Sequence, residues 1–111
     1  MMIQWSDFEK IDMRVGTILS AEEFPEAIKP AYILTIDFGP EIGIKKSSAQ
    51  ITALYNRKRL KNEQVIAVIN FPPKQIGPFI SECLVLGIYN EQNEVVLLKP
   101  QRETMNGSKV G

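Results

Sequence analysis

An all-β barrel of five strands with one short internal helix is predicted by three observations. Apolar and polar residues alternate with period two through Met13–Ala21, the pattern of a half-buried strand. Further on, apolar runs of strand length are punctuated by Gly and Pro in the order three strands, one helix, two strands. Two connections, Phe24–Pro30 and Phe71–Phe79, are rich in proline and yet apolar. At 111 residues the chain can bury one modest core, so a single domain spanning 1–111 is expected.

The elements follow from local chemistry. Ser6 and Glu9 have capping-box spacing, which predicts a brief helix starting at Asp7. Strand one runs from Arg14 to Phe24, with Met13, Val15, Thr17, Leu19 and Ala21 on one face, and Gly16 predicts a bulge or sharp coil within it. Strand two is Ala31 to Phe38, with Tyr32, Leu34, Ile36 and Phe38 on one face. Gly39-Pro40-Glu41 turns the chain into strand three, Ile42 to Lys46. Ser47 or Ser48 is expected to cap a helix through Ile51, Leu54 and Tyr55 that runs into Arg57-Lys58-Arg59-Leu60-Lys61. Strand four is Val65 to Asn70 and strand five is Ile80 to Tyr89. Between them, three prolines in nine positions predict an unpaired loop. Asn90 to Asn93 turn into a sixth strand, Glu94 to Lys99, which Pro100 stops, and Asn106-Gly107 marks a late turn.

That order is the OB-fold's: a five-stranded Greek-key barrel whose first-to-second and fourth-to-fifth strand loops bind ligands. The proline-rich apolar segments occupy those two loops. An N-terminal helix and a C-terminal strand extension lie outside the barrel and carry Trp5, Phe8, Val96 and Leu98. A two-fold homodimer would bury both extensions together.

Composition narrows the function. There is no histidine, so Ser-His and Cys-His nucleophile pairs and imidazole metal sites are absent. Phosphate-loop and dinucleotide glycine motifs are missing too, and the expectation is a binding protein with no enzymatic activity and no cofactor or metal. The single cysteine, Cys83, reads as a small core hydrophobe. Neither a signal-peptide pattern nor a membrane-span-length apolar stretch occurs, which predicts a cytoplasmic protein without membrane insertion. Net charge is zero, yet seven basic residues and one acid fall between Ile44 and Ser81. That asymmetry predicts one electropositive face, the plainer alternative being a solvated loop-and-helix surface.

Several segments carry a family resemblance. Asp12-Met13-Arg14-Val15-Gly16-Thr17-Ile18 resembles the start of the tRNA-binding domain family of OB-fold modules. Glu22-Glu23-Phe24-Pro25-Glu26-Ala27, Ile36-Asp37-Phe38-Gly39 and Glu41-Ile42-Gly43-Ile44-Lys45 are similar to one branch, the CsaA-type export-related chaperones. So are Ser47-Ser48-Ala49-Gln50-Ile51-Thr52, Gln64 through Pro73, and Asn106-Gly107-Ser108-Lys109-Val110-Gly111. The resemblance implies a homodimer that binds unfolded or precursor polypeptides in apolar pockets on the loop side. The tRNA-binding members typically show His-Pro-Asn-Ala-Asp-Lys-Leu where this chain has Phe24-Pro25-Glu26-Ala27-Ile28-Lys29-Pro30. Of their Lys-x-x-Gly-x-x-Ser-x-Gly-Met, Lys74 and Gly77 match, Ser81 comes one position late, and Cys83-Leu84 replace Gly-Met. Both departures exchange polar character for apolar.

Two site sets follow. For polypeptide binding the candidates are Phe24, Pro30, Phe71, Pro73, Lys74, Ile76, Phe79 and Ser81, with an exposed strand edge nearby to pair with an extended backbone. The competing reading packs Phe71 and Phe79 back onto the core. For tRNA, the alternative partner, the candidates are Lys45, Lys46, Ser48, Arg57, Lys58, Arg59, Lys61 and Lys74, with Phe24, Tyr32, Phe71 or Phe79 for stacking.

Overall fold

The chain's alternating segments do become the sheet. In the computed structural model, which describes residues 1–111, α1 (Trp5–Glu9) leads into β1 (Met13–Glu23), β2 (Tyr32–Asp37) and β3 (Ile44–Ala49). After α2 (Arg57–Leu60) come β4 (Gln64–Val68), β5 (Lys74–Ile76) and β6 (Phe79–Ser81). The chain ends with β7 (Leu84–Val85), β8 (Gly87–Tyr89) and β9 (Val95–Leu97).

Long β1 pairs antiparallel with β2 through its C-terminal half and with β4 through its N-terminal half, so one strand serves both sides of the barrel. The five-stranded sheet runs β3-β2-β1-β4-β7. It is drawn nearly closed by hydrogen bonds from β3 to residues 81–83: Glu82 N donates to Lys46 O at 2.8 Å, and Ser48 N donates to Ser81 Oγ at 3.2 Å. This is the OB-fold barrel. Ile18, Leu34, Ile36, Phe38 and Val65 fill it, and Leu60 is the one residue that α2 buries. Where β2 ceases to pair with β1, the C-terminal tail takes its place: Gly107 N donates to Val15 O at 2.8 Å and Val110 N to Met13 O at 2.9 Å.

Several expectations need correction. The first helix starts at Trp5, and its capping box uses Gln4 and Asp7 instead of Ser6 and Glu9. Gly16 does not carry the bulge, which falls between Ile18 and Ser20. Gly16 is needed because a Cβ there would lie 2.6 Å from Ile36 Cγ2 and 2.8 Å from the Phe38 ring. No helix starts at Ser47 or Ser48, because β3 extends to Ala49. Serine's local capping preference loses there to hydrogen bonds on two sides, from β2 and from residues 81–83. The helix waits for Asn56, whose Oδ1 accepts from Arg59 N at 2.9 Å, and lasts four residues. Strand three begins at Ile44 and strand four ends at Val68.

The Phe71–Phe79 segment holds a ladder after all. Lys74–Ile76 pairs with Phe79–Ser81 around Gly77-Pro78. Gly77 has φ +56, the sign a type II′ hairpin turn needs at its first central position, and all three prolines fall outside the paired residues. The expected fifth strand, Ile80 to Tyr89, is broken into β6, β7 and β8. Leu86 N still bonds Ile66 O at 2.9 Å, while Leu86 O accepts from Leu98 N at 3.1 Å, so the chain changes sheets at Leu86. The sixth strand is shorter than expected and pairs with β8 alone.

Candidate functional site

The β5–β6 hairpin forms one wall of a cleft of about 1110 Å³. Its floor comes from the end of β3 and from Ile51, and its far wall from residues 84–87, Tyr89 and Val95. The hairpin is held in place by the bonds that close the barrel. Ser81 Oγ accepts from Ser48 N and donates to Cys83 O at 3.4 Å, and buried Ser47 donates to the same carbonyl at 3.0 Å. Lys46 N donates to Glu82 Oε1 at 3.0 Å. Burial pushes the Cys83 thiol up to about 11, opposed by a hydrogen bond from Ser47 and the charge of Lys45, so the thiol is neutral at physiological pH.

Of the candidates for polypeptide binding, Phe71, Pro73, Lys74, Ile76 and Ser81 meet in this cleft. Phe24, Pro30 and Phe79 do not line it. Phe24 is buried, and Phe79 packs edge-on against it with ring centroids 5.4 Å apart. That aromatic pair ties the first loop to the turn end of the hairpin. Phe71 is 54% exposed at the cleft mouth, so only Phe79 follows the core-packing alternative. Lys29, Lys74 and Glu82 are the only charged residues among the lining.

Sequence reasoning missed the far wall, Leu84, Val85, Gly87, Tyr89 and Val95, because an uninterrupted fifth strand would have buried it. Gly87 was the available signal. A Cβ there would stand 2.4 Å from Val95 Cγ1, so the β8–β9 hairpin needs glycine at its base.

The basic residues do not share one groove. Arg57, Lys58, Arg59 and Lys61 line a second groove of about 700 Å³ with Leu19, Ser20, Ala21 and Tyr32. Arg57 Nε lies 3.6 Å from Glu23 Oε1, whereas Lys58, Arg59 and Lys61 have no ion-pair partner. Lys74 and Ser48 stand in the apolar cleft instead, and Lys45 and Lys46 on β3 line neither groove. No group of three or more His, Cys, Asp or Glu side chains is placed to hold a metal, and no helix is long and apolar enough to cross a membrane.

Comparison with known proteins adds the family. The family model described as a putative tRNA binding domain matches residues 13–109. The methionine–tRNA ligase of Pyrococcus horikoshii is 34% identical over 108 residues, covering 97% of this chain and 14% of the ligase. That of Pyrococcus abyssi is 32% identical over 99% of this chain and 15% of its own length. The chain thus spans about one-seventh of these ligases. Among solved structures, chaperone CsaA from Bacillus anthracis is 51% identical with a TM-score of 0.94, covering 100% of both chains. The CsaA chaperone protein from Picrophilus torridus is 54% identical with a TM-score of 0.93, over 99% of this chain and 100% of that one.

Proposed function

The chain belongs to the putative tRNA-binding domain family, and from that premise we propose that it is a non-enzymatic, CsaA-like chaperone that holds unfolded or precursor polypeptides for export. One observation carries the reading: the larger cleft is walled by Phe71, Pro72, Pro73, Ile76, Leu84 and Val85, with three charged residues in its lining. Apolar area is retained there without a demanding hydrogen-bond pattern, and burial at about 25 cal/mol per Å² suits varied side chains. The prolines restrict the wall before a ligand arrives, which lowers the entropy cost of binding. Lys29 and Lys74 favour segments with acidic residues.

The working unit in this proposal is one cytoplasmic domain, residues 1–111, assembled as a homodimer. Ile3 (63% exposed), Trp5 (67%) and Val96 (39%) are among the apolar side chains left uncovered on the two extensions. Sedimentation across a concentration series tests the dimer, and a monomer at high concentration refutes it.

The test of the cleft is anisotropy of a labelled unfolded polypeptide. Replacing Phe71 and Ile76 together by serine is expected to weaken binding about tenfold or more, by removing two apolar anchors. Unchanged affinity would refute the cleft as the site.

A second reading, tRNA binding, is favoured by the unpaired Lys58, Arg59 and Lys61 in the other groove. Changing these three to glutamine should reduce tRNA affinity and flatten its salt dependence by about one unit of slope per lost phosphate contact.

A further inference from the structure

The far wall of the cleft ends in an unpaired strand edge. In the β8–β9 hairpin, Gly87 faces Leu97 and Tyr89 faces Val95 in the register. The bonds on either side of these pairs, Leu98 N to Leu86 O and Asn90 N to Glu94 O, fix the phase of the ladder. Bonded and non-bonded pairs alternate along an antiparallel ladder, so the N–H and C=O of Gly87 and Tyr89 point away from β9. No other backbone or side-chain group bonds them. Both residues are exposed, and both line the cleft.

We propose that an extended polypeptide adds to this edge as a third strand beside Gly87–Tyr89, its backbone bonded there and its alternate side chains seated in the apolar cleft. The inference rests on the polypeptide reading above and adds the mode of capture. Two exposed residues spaced one strand repeat apart offer donors and acceptors in the order that another strand's backbone presents them. Recognition through the main chain is blind to sequence, and the cleft then selects only for apolar side chains. A second copy is the other occupant an open edge invites. A three-residue edge is far too short to supply the ~800 Å² per partner of a stable interface, whereas a peptide needs only the edge and the cleft beside it.

The experiment uses the full chain and a fluorescein-labelled, lysine-capped peptide of alternating leucine and serine, in three forms. The parent is unmodified, and two derivatives carry N-methyl groups on every second residue, in opposite phases. N-methylation removes a donor and blocks one edge of the peptide. One phase is expected to lose about tenfold or more in affinity, while the other binds like the parent. Amide exchange at Gly87 and Tyr89 should slow about tenfold or more when the parent peptide saturates the protein. Two methylated phases of equal affinity would overturn edge pairing and leave the cleft reading intact. A parent peptide that does not bind overturns both. Slow exchange at the two amides without peptide, slowing further as protein concentration rises, would assign the edge to a second copy and overturn the proposal.

Discussion

At Gly16 the barrel leaves no room for a side chain, since the nearest atoms belong to Ile36 and Phe38 in the middle of the core. Gly16→Ala is expected to destabilise the protein by about 1–3 kcal/mol, the usual penalty for overpacking. Urea unfolding should show a lower midpoint with an unchanged slope. Cys83 carries a pH prediction. Its thiol ionises near 9.0 when exposed and at about 11 in the fold, so the folded state keeps a proton that the unfolded state releases. Stability from this group is complete below pH 9 and falls as pH rises toward 11. Comparison with Cys83→Ala at pH 8 and at pH 11 should isolate the effect, at up to about 3 kcal/mol. At pH 7.5 the native thiol should react with a disulfide reagent roughly a hundredfold more slowly than in denaturant.

Among the elements, the C-terminal tail shows how a late turn completes an early strand. Gly107 has φ +91, and a Cβ there would meet Phe38 O at 2.7 Å, while Arg14 donates to its carbonyl at 2.9 Å. Gln64 clasps Thr104 from both ends of its amide, accepting from Thr104 N at 3.0 Å and donating to Thr104 O. Gly107→Ala should therefore release the tail from β1, speeding exchange of the Val15 amide, which bonds Ser108 O, with less effect at β2. The proline-rich hairpin illustrates a different limit. Its three prolines argue against pairing, but none occupies a ladder position, and Gly77 makes the turn. Which residues of a proline-rich stretch are paired depends on register, and composition does not encode register.

For the whole molecule, the separation of the two grooves predicts separable chemistry. Polypeptide binding in the apolar cleft should change little between low and moderate salt. RNA binding at Arg57–Lys61 should fall about tenfold or more over the same range. A polypeptide signal that disappears with salt would mean that charge, not apolar burial, carries the contact, and would refute apolar capture.

Strands one to four, the first proline-framed loop and the barrel itself are legible in the residue order. Alternation, glycine and proline act on conformation within a few residues, and each local preference there agrees with the fold. The apolar cluster of the front wall, Phe71, Pro73 and Ile76, was legible in the residue order, but its pairing as a hairpin was not. The helix start, the division of the fifth strand and the far wall were decided by the folded chain. Ser47 looks like a cap until Cys83 O, 36 residues on, accepts a hydrogen bond from its hydroxyl. Leu86 looks like mid-strand until β4 bonds its N–H and Leu98 its carbonyl. The basic residues separate because α2 and the residue after it carry Arg57–Lys61 to one groove, the β5–β6 hairpin carries Lys74 to the other, and β3 leaves Lys45 and Lys46 outside both. Each of these outcomes depends on partners distant in sequence, and only tertiary packing brings those partners together.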